Sequence, residues 1–168
     1  MNKSKVCSDF LMNYIARSNQ DCLYLLQEPY LYKDKIPSLP HTYSMLGSNN
    51  SPRAVCLAPK HWPVILLEQY TDRDTASLLF KEGSFECYFF SIYCDRELPT
   101  ISNLVINICD YLEEKNANAI FALDSNAHSV LYSDIEQSCP RGIHIEEHVS
   151  NYSLEILNFF SQCNQNLF

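Results

Sequence analysis

The order of apolar periodicities in this chain predicts an α/β layered fold with antiparallel hairpins inside it. Three observations carry that prediction. Helical spacing dominates near the N-terminus, short apolar runs separated by turn residues fill the middle, and helix and strand patterns alternate in the last third. Val6, Phe10, Leu11, Tyr14 and Ile15 fall on one helical face and set a first helix from about Ser4 to Ser18. Cys22 to Gln27 is a continuous apolar run, the signature of a buried strand. Pro29, Pro37 and Pro40 then exclude helix until the next strands. Those strands are expected at Arg53–Ala58, Val64–Glu68, Thr75–Lys81 and Phe85–Tyr93, the last two joined by a hairpin turn at Glu82-Gly83-Ser84. Ile101, Leu104, Val105, Ile108 and Leu112 restore helical spacing, with Pro99 suited to the helix start. Ala119–Leu123 reads as another buried strand, Asp124 to Pro140 as a loop, Gly142 to Asn151 as a short helix and Leu154 to Asn158 as a strand.

With 168 residues, 46% hydrophobic side chains and only 3 glycines, the composition is globular rather than disordered. No repeat, linker or charge block divides residues 1–168, so they read as a single domain able to bury roughly 70% of the surface of the unfolded chain. No apolar run approaches the ~20 residues of a membrane span, and no secretory h-region follows the first lysines. The chain therefore reads as soluble and intracellular, nuclear or cytoplasmic, with no membrane partner. Its 8 cysteines show no C-x-x-C pair, and Cys22, Cys56 and Cys87 lie inside apolar runs. Buried reduced thiols fit that pattern better than disulfides or a zinc site. The net charge of −8 argues against tight, sequence-independent gripping of nucleic acid over many phosphates. It is still compatible with cutting a phosphodiester where a divalent metal neutralises the site.

Apolar runs that feed polar loops at Gln27-Glu28 and Leu123-Asp124 would put both carboxylates at strand ends, where α/β sheets tend to carry ligand sites. Glu28 fits two readings, an exposed loop glutamate or a ligand whose charge a bound cation neutralises. Asp124-Ser125-Asn126-Ala127-His128 likewise fits an Asx-type turn, or an aspartate holding a water beside an asparagine holding a phosphate oxygen. Tyr93 ends a strand at the same rim, where a phenol could either pack or donate to a phosphoryl oxygen. His128 alone reads as a surface or packing histidine. His144-Ile145-Glu146 has the H-x-E of zinc deaminases without the P-C-x-x-C that must follow it. Phosphate-loop, dinucleotide and nucleophile-elbow patterns do not occur.

Taken in order, several stretches resemble the endonuclease/exonuclease/phosphatase family. The resemblance is greatest to the apurinic-type endonuclease domain of arthropod non-LTR retrotransposons of the jockey-like kind. These stretches are Leu25-Leu26-Gln27-Glu28-Pro29-Tyr30, Ser51-Pro52-Arg53-Ala54-Val55, Ser91-Ile92-Tyr93, Leu123-Asp124-Ser125-Asn126-Ala127-His128-Ser129, Arg141-Gly142 and Leu154-Glu155-Ile156-Leu157-Asn158. The resemblance implies a four-layer α/β sandwich and a Mg²⁺-dependent endonuclease, with Mn²⁺ as a substitute metal, that nicks DNA at the target site for reverse transcription. It implies Glu28 as the metal ligand and Asp124 as the group that orients or deprotonates the attacking water. Asn126 and Tyr93 would be both catalytic and substrate-binding, through the scissile phosphate.

The family also has an asparagine-bearing strand ahead of a segment like Asn2-Lys3-Ser4-Lys5, and an Asp-His pair beyond the Leu-Asn strand. His41, His61, His128, His144 and His148 lack the serine-aspartate neighbours of that histidine, and Tyr132 stands where relatives often have tryptophan. The expectation is a domain partial at both ends, an incomplete sandwich with an incomplete DNA site. The alternatives are a catalytically inactive remnant serving as a binding module, and a phosphatase of the same family acting on a small phosphoester. Protein partners are not indicated.

Overall fold

In a computed structural model, residues 4–98, 100–133 and 135–157 are described. The first helix, α1 (Lys5–Arg17), begins where Ser4 accepts a hydrogen bond from the Cys7 backbone N–H, an N-cap that satisfies one of the otherwise orphaned donors of the first turn. It buries Ser8, Met12 and Ile15. The single apolar face expected from the sequence is in fact split. Leu11 and Ile15 turn inward, while Val6, Phe10 and Tyr14 stand 78%, 75% and 57% exposed. The inward stripe runs through Met12 and the small Ser8, whose hydroxyl receives the Tyr30 N–H.

Three strands form the sheet beneath α1. β1 (Tyr24–Gln27) and β2 (Tyr43–Leu46) both pair antiparallel with the central β3 (Ala54–Pro59). β3 is buried along its whole length. Its alternation sends Val55 and Leu57 toward Met12 and Ile15 of α1, and Cys56 toward the second sheet. β2 was not expected. Its run of Tyr43-Ser44-Met45-Leu46 is short, follows two prolines and pairs on one side only, so it carries little strand signal of its own.

The second sheet runs in the order β4 (Val64–Leu66), β5 (Thr75–Glu82), β6 (Phe85–Tyr93) and β7 (Ala119–Asp124). β4, β5 and β6 are antiparallel, and β6 and β7 are parallel, linked by α2 (Asn103–Lys115). The β5–β6 hairpin turns at Gly83-Ser84, where Gly83 takes φ +60°, a conformation that glycine adopts without a Cβ penalty. β4 is shorter than expected. Glu68 opens a single 3₁₀ turn, Glu68–Tyr70, anchored by the Thr71 hydroxyl donating to the Leu67 carbonyl. α2 is capped by Ser102, and Pro99 lies outside the described residues.

Tyr88, Phe90 and Ile92 on the outer face of β6 meet Val105, Ile108, Cys109 and Leu112 of α2. On the inner faces, Cys56 of β3 meets Ala76 and Leu78 of β5, flanked by Leu25 and Phe89. The result is helix, sheet, sheet, helix, the four-layer α/β sandwich anticipated above. The third helix, α3 (Pro140–Asn151), follows the long loop after β7. Leu154–Leu157 forms no strand, contrary to expectation, and Asn158 lies outside the described residues. Leu154 is tied back to the Val149 carbonyl. With Glu155, Ile156 and Leu157 it borders a cavity of about 390 Å³ along β7, so these residues flank that edge without entering its ladder.

The seven described cysteines are free thiols. Burial pushes Cys56 and Cys109 up to about 12 and Cys94 up to about 11, which keeps them neutral and unreactive. No helix among the described residues is long and apolar enough to cross a membrane.

Candidate active site

The site is assembled where one end of β1 is latched across the sandwich onto β6 and β7. The Gln27 side-chain amide donates to Ser91 Oγ at 2.9 Å and to the Ala122 carbonyl at 3.0 Å, while Ser91 Oγ donates to the Leu26 carbonyl at 2.9 Å. Ser91 is fully buried, so these groups have no water to turn to and their mutual bonding fixes the register between the sheets. One residue further along β1 comes Glu28. One residue beyond Ile92 on β6 comes Tyr93, and opposite Tyr93 in the parallel ladder is Asp124. Glu28, Tyr93 and Asp124 therefore share one rim for a topological reason. Asn126 joins them through its side chain.

Two of the eight described non-glycine residues with positive φ lie at this rim. Glu28 and Asn126 both adopt φ +47°, the left-handed region that non-glycine residues avoid. Glu28 is held there by its N–H donating to the Arg53 carbonyl at 2.6 Å. At Asn126 the backbone N–H donates to Asp124 Oδ1 at 3.2 Å, an Asx-type turn, so both readings of that segment apply at once. The Asn126 amide is also oriented by its neighbours. Nδ2 donates to the Cys94 carbonyl at 2.9 Å and Oδ1 accepts from Arg96 Nε at 2.8 Å.

Tyr93 lies between the charged groups. Its ring covers the Arg53 guanidinium, 4.7 Å from the ring centroid. Desolvation first, and then the nearby Glu28 charge, push its phenol above the ordinary value; a hydrogen bond with Asn126 and the Arg53 charge oppose that without cancelling it. Tyr93 is thus a neutral O–H donor across the whole physiological range.

Arg53 is the electrostatic centre that sequence reasoning missed. Its guanidinium reaches Asp74 through Nε and a terminal nitrogen, each at 2.5 Å, and Asp95 at 2.6 Å. Those two bonds to Asp74 are the main reason its charge is held more firmly than usual, and burial works against them. The Glu97 backbone N–H and then Arg53 hold Asp95 below the usual carboxylate range. One signal was available in the sequence: an arginine immediately before a strand as apolar as Ala54–Pro59 must bury part of its charge and so requires acidic partners. Nothing local marked Asp74 and Asp95 as those partners, because they lie on separate loops.

Arg141 and Gly142 have structural explanations. Arg141 donates to the carbonyls of Asp95 at 2.6 Å, Leu98 at 2.8 Å and Ser125 at 3.1 Å, tying the loops after β6 and β7 to the start of α3. At Gly142 a Cβ would sit 1.9 Å from the His128 carbonyl oxygen. Glycine is what allows the loop carrying Asn126 to lie on α3. The fully buried Ser129 hydroxyl then donates to the Glu146 carboxylate, which also receives Ser138. Tyr132 shares a hydrogen bond with Ser125 Oγ at 3.0 Å. Of the histidines, His128 borders the cleft that runs along Asp124, Ser125 and Asn126. Among the described residues no group of three or more His, Cys, Asp or Glu side chains gathers as a metal-binding set.

Residues 87–164 match the endonuclease-reverse transcriptase family. That stretch holds Tyr93, Asp124 and Asn126, and the resemblance read in the sequence is borne out there. A solved structure, the endonuclease domain of TRAS1, a telomere-specific non-LTR retrotransposon, superposes with a TM-score of 0.71 at 19% identity, over 94% of this chain and 69% of that one. The endonuclease fold therefore extends to the N-terminal half, including β1 and Glu28. No curated protein matches the chain.

Proposed function

We propose that this chain is a Mg²⁺-dependent DNA endonuclease domain of the non-LTR retrotransposon kind, cleaving one phosphodiester of its target. The observation that carries the reading is the shared rim of Glu28, Tyr93, Asp124 and Asn126, with a neutral phenol beside an asparagine whose amide is already oriented by the Cys94 carbonyl and Arg96. The match of residues 87–164 to an endonuclease-reverse transcriptase family supports it.

The donor set fits Mg²⁺ better than a softer metal. Zinc takes three or four protein ligands, whereas Mg²⁺ keeps several waters and takes one or two carboxylates plus phosphate oxygens. Glu28, half-buried at a strand end, is the residue that would hold it, and Mn²⁺ would serve in its place. When bound, the metal supplies Lewis-acid neutralisation of charge on the phosphodiester. The protein's own groups do the rest. Asp124 orients the attacking water and accepts its proton. Asn126 Nδ2 and the Tyr93 phenol donate to phosphoryl oxygens as negative charge builds on them, and both donors are already oriented before substrate arrives.

The test is nicking of supercoiled plasmid by the purified chain in Mg²⁺. Asp124→Ala is expected to abolish it. Tyr93→Phe, which removes one donor and keeps the ring on Arg53, is expected to slow it by roughly 10²-fold. A folded chain that binds duplex DNA but leaves plasmid intact in both Mg²⁺ and Mn²⁺ would refute the enzyme and support a DNA-binding remnant. Cleavage of a small phosphomonoester with plasmid untouched would point to the phosphatase alternative.

A further inference from the structure

Arg53, Arg96 and Arg141 lie around the rim, and they differ in how much of each guanidinium is already committed. Arg53 is spent on two carboxylates, and Arg141 on three backbone carbonyls. Arg96 is not spent. Its Nε donates to Asn126 Oδ1, and its terminal nitrogens have no protein partner among the described residues. An arginine has five N–H donors, so four remain. It forms no ion pair with either adjacent carboxylate among the described residues: Asp95 is already held by Arg53 and by the Glu97 N–H, and the Glu97 side chain is exposed to solvent. Arg96 is exposed, so its positive charge stands on the site rim of a chain whose net charge is −8.

Two open clefts meet at this side chain. One, of about 520 Å³, runs along Asp124, Ser125, Asn126, Ala127 and His128. The other, of about 600 Å³, lies between the loop after β6 and α3, bordered by Leu98, Thr100, Arg141 and His144. A ligand confined to the candidate centre would need only the first. One that continues past Asn126 must cross Arg96 to enter the second.

We propose that Arg96 binds the backbone phosphate adjacent to the one held by Asn126 and Tyr93, and so carries a DNA strand from one cleft into the other. The assignment rests on the endonuclease reading above. A guanidinium fork matches phosphate oxygens bidentately, and its bond to Asn126 limits the rotamers it would lose on binding. A small phosphomonoester has no second phosphate for it to take. In an acidic chain, one uncompensated arginine at this junction supplies local attraction that the overall charge does not.

The experiment is binding of a fluorescently labelled duplex oligonucleotide in EDTA, which prevents cleavage, repeated across a salt series. Neutralising one phosphate contact changes the slope of log K against log salt by about 0.9. Arg96→Gln is expected to weaken binding and make the slope shallower by about that amount, whereas Arg96→Lys retains it. Arg96→Gln with wild-type affinity and slope would overturn the proposal while leaving the endonuclease reading intact. Weaker binding at an unchanged slope would also overturn it, since Arg96 would then act through Asn126 and not on a phosphate. If the unsubstituted chain binds no duplex at any salt, the proposal falls, and plasmid nicking decides separately whether the endonuclease reading falls with it. The side chain is exposed, so unchanged thermal melts of both variants verify that the fold is not what moved.

Discussion

Gly142→Ala sets two physical effects of opposite sign against each other at the edge of the candidate site. Glycine in a helix costs about 1 kcal/mol relative to alanine, so propensity alone predicts a gain. Gly142 lies in the first turn of α3, where its N–H donates to the Cys139 thiol, and a terminal position yields less than that full amount. Against it stands the added methyl, 1.9 Å from the His128 carbonyl oxygen, 2.8 Å from its carbon and 3.3 Å from Ser129 Cα. These are backbone atoms, and no rotamer change relieves them. The His128 carbonyl also accepts the Cys139 N–H at 3.0 Å, and that bond must give if the loop retreats by the roughly 1 Å that contact distances demand. Overpacking in well-packed regions costs about 1–3 kcal/mol, and an unyielding neighbour puts this site at the upper end. Net destabilisation of about 2 kcal/mol follows, a fall in Tm of roughly 4–8 °C for a domain of this size. Because the displaced loop carries Asn126, duplex binding should weaken as well. Thermal unfolding followed by circular dichroism reads the first effect and the oligonucleotide titration the second. A Tm equal to or above that of the unsubstituted chain would refute the close approach of loop and helix.

Three further outcomes are expected. Ser91→Ala should cost about 1–3 kcal/mol in chemical denaturation, because it removes the donor to the Leu26 carbonyl and an acceptor of the Gln27 amide in a buried setting; an unchanged midpoint would mean that the latch does not bind the two sheets together. Acid should destabilise the chain in two steps. Burial lowers the His148 pKa, so stability falls as pH drops below the ordinary value of 6.5 toward the folded-state value. The Ser129 and then Ser138 hydroxyls lower that of Glu146, so its contribution is complete above the ordinary 4.5 and lost as pH falls through the folded-state value; Glu146→Gln should flatten only the lower step. Replacing Val6 and Phe10 with Lys and Gln should raise solubility and leave Tm within about 1 °C, read by light scattering and melting; a clear loss of Tm would mean that this stripe is packed rather than exposed.

The layered fold was legible because most elements carry their own periodicity. β6 lies where alternation and turn residues put it, and α2 buries Val105, Ile108 and Leu112 of the positions that recur at helical spacing, while Leu104 is half-buried and Ile101 precedes the helix. The failures share a cause, since in each case the deciding partner is distant. β2 exists because β3 offers it an edge, not because Tyr43-Ser44-Met45-Leu46 prefers to be extended. On α1, Phe10 and Tyr14 have the right spacing for burial, but Val55 and Leu57 lie under Met12 and Ile15 instead. Leu154–Leu157 has strand composition and makes no ladder, since composition does not supply the hydrogen-bonding partner.

At the candidate site the division between what was and was not readable follows chemistry more than distance. Glu28, Tyr93 and Asp124 could be nominated because each stands at the end of a run read as a strand, and Asn126 because it lies two residues past Asp124; the ordered family-like stretches then favoured the functional reading of all four. What holds those residues in place has no such pattern. Gln27 lies one position before Glu28 and, in sequence, looks like a polar residue at the edge of a strand. In the fold its amide crosses the sandwich to Ser91 and Ala122. Arg53 looks like a surface charge before a strand, yet it carries the ring of Tyr93 and is balanced by Asp74 and Asp95 from two other loops. The groups proposed to touch substrate are therefore the visible part of the site, and the buried polar groups that orient them emerge only once the two sheets are brought face to face. It follows that substitutions at Gln27 and Arg53 should degrade activity through geometry, while Asp124→Asn, which keeps the acceptor for the Asn126 N–H, and Tyr93→Phe, which keeps the ring on Arg53, should do so with stability little changed.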